Sequence, residues 1–524
     1  MAPSAPRRRL TSVVIASRPP LSSGVLVALV LAAGLLVRLL FAAVIPLFPD
    51  EAYYWEWSRR LAAGYFDHPP AIALLIRAGT SLARDSTFGV RLLPVLAGLV
   101  AAVATAGVAL RLAGSGAALR AAIVITCLPL AAAGLVLATP DAPLLATTAV
   151  GVYAVVRAIQ APLRSRDSLM WWTTTGIALG LAFCSKYTSI LLPVSVTIAI
   201  LSRASLRARL REPGPYAACV AATLVFLPVL LWNDHHDWIS FGFQLRHGLG
   251  PPKPDPLAPL KRLGDLIGGQ AGLVSPILFV LLGIATARAL RRHATDAVYV
   301  LAVIAAFSFL FFCYSATRQR VEANWPAPAY IPAIALLAAR DWSPRARRWL
   351  RGGVWLAALF SVLIYLHAAF GVLPIPPRKD PLARSAGWRA LAARADQSRR
   401  VNSTSAMGRR WLGADRYQEA AELAFYLPEH PTTFAMNLSG RGNQYDLWPP
   451  FPELAQRGDD LVLVVDETPD VHGTVARLTP FFAGVSRGDV VDLRNRRGVV
   501  SQRRVWMLRD WQGSWPTTDR SPRR

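Results

Sequence analysis

The sequence predicts a polytopic α-helical membrane protein that continues into a small α/β domain. Three observations support this fold class. Of the 524 residues, 53% are hydrophobic and only 17% are charged, whereas soluble domains carry about 25% charged residues. Apolar runs long enough to cross a bilayer recur along residues 21–373. Beyond that point, charged and apolar residues alternate as they do in soluble domains.

The positively charged residues of the chain are concentrated between its apolar runs. The formal net charge is +25, and most of the cations stand in short clusters between apolar runs. This placement is typical of membrane topology and argues against a nucleic-acid-binding face. The four cysteines all lie within apolar runs and show no zinc-ligand spacing. The sequence therefore predicts neither a disulfide framework nor a zinc site.

Eleven apolar runs qualify as transmembrane helices, some of them marginally, since a helix needs about 20 apolar residues to cross a bilayer. The first run is too long for a signal-peptide core and is predicted to remain as an anchor. The fifth, sixth and tenth runs are short, and either tilt or form partial spans that line a cavity. The eleven runs cover roughly residues 21–46, 88–110, 119–138, 142–158, 169–184, 188–202, 215–233, 267–287, 296–316, 325–339 and 353–373.

The distribution of arginine between the loops predicts the orientation. An arginine-rich tail, residues 1–20, is predicted to be cytoplasmic, and the loops that share its side of the membrane are short and basic. The segments on the other side are longer and carry most of the acids and histidines. Eleven spans then place the C-terminal part outside, in the periplasm of a bacterial inner membrane.

The C-terminal part begins with a proline-rich exit from the membrane. Residues 374–511 are predicted to form a periplasmic α/β domain, and residues 512–524 a disordered tail. Within the domain, Ala414–Leu427 has helical spacing, while Asp460–Asp466 and Arg504–Leu508 have the apolar composition of strands.

The first outside loop is the most informative stretch. It opens with Pro-Asp-Glu-Ala-Tyr-Tyr-Trp-Glu-Trp at residues 49–57 and continues with Gly-Tyr-Phe-Asp-His-Pro-Pro at residues 64–70. A carboxylate within hydrocarbon costs about 2.5–3.5 kcal/mol, so Asp50 is expected at the membrane edge. The interleaved tyrosines and tryptophans suit an interfacial segment or the stacking of a sugar. An aromatic belt beside an acidic loop is the alternative interpretation.

These two motifs also resemble the first-loop signature of membrane glycosyltransferases with the GT-C fold. The bacterial group related to protein O-mannosyltransferases and to the aminoarabinose transferase of lipid A is the most similar branch. The resemblance extends over about residues 30–450 and includes five further segments. These are Phe88–Pro94, Ala138–Leu144, Ser185–Thr188, Glu322–Pro326 and Asn437–Trp448.

The resemblance implies transfer of a sugar from a polyprenyl-phosphate donor at the outer face of the inner membrane. The acceptor would be a lipid glycan, a cell-wall polymer or a protein, and the reaction would be inverting. Such a transfer to a hydroxyl needs one base on the acceptor side and positive charge to hold the departing phosphate.

The resemblance and the residue types suggest the catalytic carboxylates. Asp50 matches the first-loop acid of the family and is the predicted base, with Glu51 as second choice or as its support. Asp141 would orient the acceptor, or would join Asp50 as a ligand of a divalent metal ion. Two carboxylates alone do not specify a metal, so no cofactor is predicted with certainty.

The candidates for holding the donor phosphate are Lys186, His68, Arg318 and Arg320. Snorkelling of Lys186 to the interface and ordinary loop charge at the arginines are the alternatives. His68 stands where the aminoarabinose branch commonly has lysine, and its binding of phosphate would depend on protonation. The predicted substrate-binding residues are Tyr53, Tyr54, Asp67, Glu322, Asn324, Asn443 and Gln444.

A transporter or flippase for lipid-linked sugars is the alternative function, and a scaffolding membrane protein is a third. A transporter predicts polar residues in the middle of several spans and internal repeats. Here the acids gather at one membrane face, which favours the enzyme.

Overall fold

The computed structural model describes residues 22–250, 257–291, 293–401, 408–438, 441–467 and 472–516. The predicted N-terminal tail and residues 517–524 of the predicted disordered tail lie outside the described residues. Residues 22–373, the helical part, precede residues 374–516, the C-terminal unit, which contains the described strands.

The described residues of the helical part contain sixteen α-helices. Several of them begin directly after a serine or threonine whose hydroxyl accepts a hydrogen bond from the backbone N–H three residues ahead, as at Ser86 and Ser343. The helices are α1 (Ser23–Val44), α2 (Pro49–Arg59), α3 (Ala71–Ala83), α4 (Thr87–Cys127), α5 (Pro129–Gly134), α6 (Asp141–Gln160), α7 (Arg166–Phe183), α8 (Leu191–Ser202), α9 (Ala204–Arg207), α10 (Gly214–Asp234), α11 (Ile239–Leu249), α12 (Ala258–Val274), α13 (Pro276–Ala289), α14 (Asp296–Arg318), α15 (Ala327–Ala339) and α16 (Pro344–Phe370).

Six helices in the described residues are long and apolar enough to cross a membrane, namely α1, α4, α6, α10, α14 and α16. Two bent pairs raise the number to eight if each pair counts as one span. The predicted number of eleven spans therefore stays a prediction. Helices α3 and α15 are apolar but only 13 residues long, which is shorter than a bilayer requires.

Two predicted spans have a different form from the one expected. The run predicted as a single helix over residues 267–287 is two helices, α12 and α13, which meet at 102°. The bend lies at Ser275, where φ is +75° and Pro276 follows, a combination that cannot continue a helix. The run predicted over residues 119–138 ends as a helix at Cys127, because Leu128 is extended before Pro129.

The C-terminal unit is built on a five-stranded sheet with the strand order β2-β1-β3-β5-β4. The first three strands pair in parallel, and the last two form an antiparallel hairpin that pairs with β3. Strand β3 is buried over Asp460–Val465, as its run of leucine and valine predicts. The elements are α17 (Trp388–Val401), β1 (Arg410–Ala414), α18 (Tyr417–Tyr426), β2 (Thr433–Ala435), α19 (Phe451–Leu454), β3 (Asp460–Asp466), α20 (His472–Leu478), β4 (Phe482–Asn495) and β5 (Gly498–Trp511).

The first outside loop and the C-terminal unit share one hydrophobic core. The loop is mostly helical, and α2 packs along α18 of the C-terminal unit. Trp55, Trp57 and Tyr65 are fully buried at this contact, together with apolar residues of α18 such as Leu423. The aromatic residues of the predicted interfacial segment therefore hold two parts of the chain together, since burying aromatic side chains dominates such contacts.

Glu51 fixes α2 to α4 and to the segment that precedes α6. Its carboxylate receives two hydrogen bonds from Arg91 of α4, at 2.7 and 2.5 Å. The backbone N–H groups of Phe48 and Ala138 donate to it at 2.9 and 2.8 Å. Arg91 is fully buried and also donates to the carbonyl oxygens of Ile45 and Pro46. This ion pair has partners for both charges, which is the condition under which a buried pair is tolerated.

We expect Arg91→Ala to lower the free energy of unfolding by about 3–5 kcal/mol, because it leaves the Glu51 carboxylate buried without a counter-charge. The measurement is the unfolding of the purified full-length protein in mixed micelles. Arg320→Ala is the control, since the Arg320 side chain is 84% exposed and pairs with a half-exposed Glu322. The control should lose no more than about 1 kcal/mol. Equal losses in the two variants would contradict this account of Glu51.

Candidate active site

Three separate segments of the helical part bring Asp141, Lys186 and Asn324 together. Asp141 is the first residue of α6, Lys186 follows α7, and Asn324 precedes α15. The Lys186 Nζ donates to Asp141 Oδ1 at 2.8 Å, and the Asn324 Nδ2 donates to Asp141 Oδ2 at 2.5 Å. The side chains of Asp141 and Lys186 are each 9% exposed. This triad places a lysine ammonium where little solvent screens its charge.

An apolar cavity of about 370 Å³ ends at two residues of the triad, Asp141 and Asn324. Its polar end contains Thr139, Asp141, Glu322 and Asn324, and the rest of its wall is apolar. The apolar wall comes from α4, α5, α6, α12 and α15, with residues such as Ile125, Leu145, Leu273 and Ile331. The cavity suits a molecule with a hydrocarbon chain and one polar end.

Asp50, the predicted base, is the second residue of α2 and faces the C-terminal unit. Its side chain is 41% exposed. Gln418 Nε2 donates to Asp50 Oδ1 at 3.2 Å, and an Arg384 guanidinium nitrogen donates to Oδ2 at 3.4 Å. Both partners belong to the C-terminal unit. Asp50 is therefore open to solvent and held by two long, adjustable contacts.

Glu51 differs from Asp50 in every one of these respects. Both of its carboxylate oxygens accept two hydrogen bonds, and the side chain is 1% exposed. The geometry corrects the prediction of Glu51 as an alternative base, because no oxygen is free to take a proton from a substrate. It favours the predicted supporting role, since Glu51 ties the helix of Asp50 to Ala138, three residues before Asp141.

Asp67 and Tyr53 connect the first outside loop to residues 441–446. Tyr53 Oη donates to Asp67 Oδ2 at 2.7 Å, and Arg441 donates to Asp67 Oδ1 at 3.0 Å. Burial raises the pKa of Asp67, although the charge of Arg441 opposes that shift. Burial, followed by the charge of Asp67, also raises the pKa of Tyr53 well above its ordinary value. The hydrogen bonds of both side chains are used within the protein, so a substrate role is not favoured.

Asn443 and Gln444 are likewise used in packing. The Asn443 Oδ1 accepts from the backbone N–H of Tyr445, and the Gln444 Oε1 accepts from the backbone N–H of Phe66 at 2.8 Å. The backbone N–H of Gln444 also donates to Tyr53 Oη. Gln444 therefore joins the C-terminal unit to the first outside loop, whereas Asn443 bonds within its own turn. Contact of either side chain with the acceptor stays a prediction.

His68 lies near the triad but is poorly suited to hold a phosphate by charge. Its Nδ1 is 3.4 Å from Gln244 Nε2. Burial, followed by the charges of Lys186 and Arg441, lowers the pKa of His68 well below its ordinary value. The imidazole is then neutral at pH 7, in contrast to the protonated form that phosphate binding requires. Tyr54, also predicted to contact substrate, lies edge-on to His68 with ring centres 6.3 Å apart.

The two predicted arginines near the α14–α15 connection do not contact the triad. Arg318 Nε donates to the carbonyl oxygen of Leu249 at 3.3 Å. Arg320 is 84% exposed and pairs with Glu322 at 3.4 Å. Neither contact includes the triad, so the structure favours Lys186 over these arginines as the cation for a phosphate. Glu322 and Asn324 do lie at the cavity, as expected for substrate contacts.

The predicted metal pair of Asp50 and Asp141 does not fit a metal ion well. A lysine ammonium and an amide nitrogen already occupy the oxygens of Asp141, and a cation at that position opposes a second one. Among the described residues, no group of three or more histidine, cysteine, aspartate or glutamate side chains could hold a metal.

Several residues of the site were not predicted. Arg91 and Arg441 lie in motifs that carry the resemblance, yet no role was predicted for either. Arg384 and Gln418 are distant from Asp50 in the sequence, by 334 and 368 residues, and no pattern in the chain links them to it.

Comparisons with known proteins give similarities in sequence and in fold. The sequence profile of the dolichyl-phosphate-mannose-protein mannosyltransferase family matches residues 67–232. The lipid A galacturonosyltransferase RgtD of Rhizobium johnstonii is 29% identical over 385 residues, which cover 71% of this chain and 76% of that protein. The solved structure of ArnT from Cupriavidus metallidurans bound to undecaprenyl phosphate superposes with a TM-score of 0.64 at 18% identity, covering 93% of this chain and 98% of that one.

The chain has the GT-C fold and resembles the membrane glycosyltransferases that share it. The resemblance predicted from the first-loop motif is confirmed, and the chain is a multi-pass protein of the inner membrane. An Archaeoglobus fulgidus oligosaccharyltransferase shares the fold at a TM-score of 0.50 and 13% identity, covering 93% of this chain and 74% of that one. The glycosyltransferase therefore has the same fold as enzymes of different size.

Glu422 of the glycosyltransferase is a fully buried acid on the face of α18 that meets α2. Neither of its carboxylate oxygens has a hydrogen-bond partner among the described residues. Burial, followed by the nearby charge of Glu51, raises the pKa of Glu422 well above its ordinary value, although Arg91 opposes the shift. The folded protein therefore holds a proton on Glu422 that the unfolded chain releases above about pH 4.3.

We expect Glu422→Gln to stabilise the glycosyltransferase at pH 8 relative to the unsubstituted protein. A raised folded pKa means that stability is lost as pH rises from the unfolded value towards the folded one, and glutamine removes that loss. The gain should shrink towards pH 4.5, as measured by thermal unfolding in detergent.

Glu429→Gln is the matched control in the same unit. Hydrogen bonds from Arg399 and Arg400 lower the pKa of the exposed Glu429, so its substitution should reduce stability at neutral pH rather than raise it. A pH-independent loss in Glu422→Gln would contradict the assignment of a bound proton.

Proposed function

We propose that the glycosyltransferase moves a sugar from a polyprenyl-phosphate donor to an acceptor at the outer face of the inner membrane, with inversion at the sugar carbon. The observation that carries this proposal is the apolar cavity whose polar end contains Asp141 and Asn324, together with the lysine that is bound to Asp141. A polyprenyl phosphate has the same two parts, a hydrocarbon chain and an anionic end.

Lys186 is the residue we assign to the donor phosphate. Its ammonium is nearly buried, and an electrostatic contact in a water-poor site is stronger than the same contact in water. Asp141 holds this ammonium in place at 2.8 Å, and Asn324 orients Asp141 from the other side. Asp141 and Asn324 thus contribute to donor binding by positioning the Lys186 ammonium.

Asp50 is the residue we assign as the base. In the transfer, an acceptor hydroxyl oxygen bonds to the anomeric carbon while the bond from that carbon to the phosphate oxygen breaks. The hydroxyl proton passes to Asp50, and the polyprenyl phosphate leaves with the bonding electrons beside Lys186. The exposed carboxylate of Asp50 suits this role because an acceptor can reach it, which is the first requirement of a general base.

A lipid glycan is the acceptor we favour among the three that the sequence allows. RgtD of Rhizobium johnstonii, which shares 29% identity over 71% of this chain, is a lipid A galacturonosyltransferase. A hexuronic acid is accordingly the sugar we propose. The N-terminus is proposed to be cytoplasmic and residues 374–511 periplasmic, because the basic loops and the acid-rich segments then lie on opposite sides.

We expect Asp50→Asn to lower kcat by about 10²–10⁴-fold, the usual contribution of a general base. The measurement is consumption of a radiolabelled polyprenyl-phosphate sugar by purified protein in lipid, with an envelope lipid extract as acceptor. Asp489→Asn is the control, since Asp489 is also an exposed aspartate paired with one arginine, but it lies on β4. Wild-type turnover in Asp50→Asn would refute the catalytic assignment. A transporter would consume no donor in either protein.

We expect Lys186→Gln to lower kcat by about 10²–10³-fold, because the departing phosphate loses its buried cation. Glutamine can still donate a hydrogen bond to Asp141, so the fold should be retained. Lys261→Gln on α12 is the control for loss of a lysine charge and should leave turnover unchanged. The assay is the same donor-consumption measurement, and a result in which both variants match the unsubstituted enzyme would exclude Lys186 from the donor site.

A further inference from the structure

A second cavity, of about 260 Å³, lies on the side of Asp50 that faces the C-terminal unit. Pro49, the residue before Asp50, forms part of its wall, and the other lining residues belong to the C-terminal unit. Arg384 and Gln418 line the cavity and also contact Asp50. The cavity is therefore connected to the proposed base by two side chains.

The lining of this cavity is rich in arginine. Arg378, Arg384, Arg416 and Arg503 contribute to it, while Glu419 is the carboxylate among its lining residues. These cations come from the exit of the helical part, from the start of α18 and from β5. They converge only because the sheet and α18 pack on α2.

The four arginines are not equally neutralised. Arg503 is buried and donates to Glu419 at 3.0 Å and to Asp466 at 2.7 Å. Arg416 is 59% exposed and lies 3.6 Å from Asp466, an acid that Arg503 already uses. Arg378 is exposed, and no carboxylate of the described residues forms an ion pair with it. Arg416 and Arg378 thus line the cavity with guanidinium groups that carboxylates of the described residues neutralise only weakly or not at all.

We propose that this cavity, which we name the arginine cavity, binds an anionic group of the acceptor, either a phosphate or a carboxylate. This inference rests on the proposed function for the identity of the acceptor side. Arginine presents paired N–H donors that match the oxygens of either group. Arg384 and Gln418 each contact both Asp50 and the arginine cavity. An acceptor whose anion is bound in this cavity therefore has its neighbouring hydroxyl groups next to Asp50.

A purely structural role explains Arg503 but not the other arginines. A guanidinium that stabilises the fold is buried and fully paired, as Arg503 is. Arg378 and Arg416 are exposed instead, so folding removes little of their hydration. Arg416 has one long ion pair, Arg378 has none within the described residues, and such exposed pairs contribute little stability. Their shared feature is the cavity that they line.

The test uses the full-length protein in detergent and three small probes that resemble parts of a glycan. These are N-acetylglucosamine 1-phosphate, galacturonate and neutral N-acetylglucosamine, with binding followed by saturation-transfer NMR. We expect at least one anionic probe to bind and the neutral probe not to bind. The two anionic probes distinguish a phosphate from a carboxylate. The double variant Arg378→Gln/Arg416→Gln should weaken anion binding at least tenfold.

Arg487→Gln is the matched control. Its side chain is 55% exposed and lies 3.3 Å from Glu467, much as Arg416 lies beside Asp466, yet it is not among the residues that line the arginine cavity. The control should bind the anionic probe as the unsubstituted protein does. Absence of binding by both anionic probes, equal binding of the neutral probe, or equal weakening in the control would overturn the inference.

Failure of the proposed function gives a different result. The probe experiment contains no donor, so a protein that binds an anion but consumes no polyprenyl-phosphate sugar would refute the proposed function alone. In an active enzyme, the double variant should raise the KM for the acceptor at least tenfold, with the KM for the donor unchanged. A change in the KM for the donor instead would overturn the acceptor assignment.

Discussion

The buried ion pair between Glu51 and Arg91 is the interaction on which the site depends. Glu51 stands beside the proposed base and accepts hydrogen bonds from α4 and from the backbone of Ala138. One carboxylate therefore fixes the start of α2 and the segment that leads to Asp141. Both carboxylate oxygens of Glu51 accept hydrogen bonds, and these bonds offset the hydration that the ion pair loses on burial. Asp50 can stay exposed and loosely held because its neighbour in the sequence is rigid.

The sequence was sufficient to predict a helical membrane protein with the GT-C fold, and it selected the acids that are proposed here as site residues. Apolar runs identified the helices of the membrane, and the motif at residues 49–57 identified Asp50 through the resemblance. Asp141, Lys186 and Asn324 were each predicted as site residues from separate motifs, and the structure brings them into direct contact. What the sequence did not predict was that they bind one another, because no local pattern encodes contacts between such distant segments.

The errors of the sequence analysis have physical causes. Composition alone cannot detect the bend at Ser275, since both sides of it are apolar. Loop residues with many hydrogen-bonding groups were interpreted as substrate contacts, whereas Asn443 accepts from a backbone N–H of its own turn and Gln444 from one of the first outside loop. Buried polar groups need partners of this kind, so a polar loop is as consistent with packing as with binding. The charge of His68 could not be predicted from the sequence either, because it depends on how deeply the fold buries the imidazole.

The placement of β5 has a consequence for biosynthesis. This strand, the last one in the described residues, lies between β3 and β4 and completes the sheet. Without β5, β3 lacks its antiparallel neighbour. Helix α18, which packs against α2, then also lacks the ion pair between Arg503 of β5 and Glu419. The helices near the N-terminus are made and inserted well before residues 498–511 emerge from the ribosome. The contacts of Asp50 with the C-terminal unit can therefore form only after residues 498–511 have been synthesised, when the first helices are already in the bilayer.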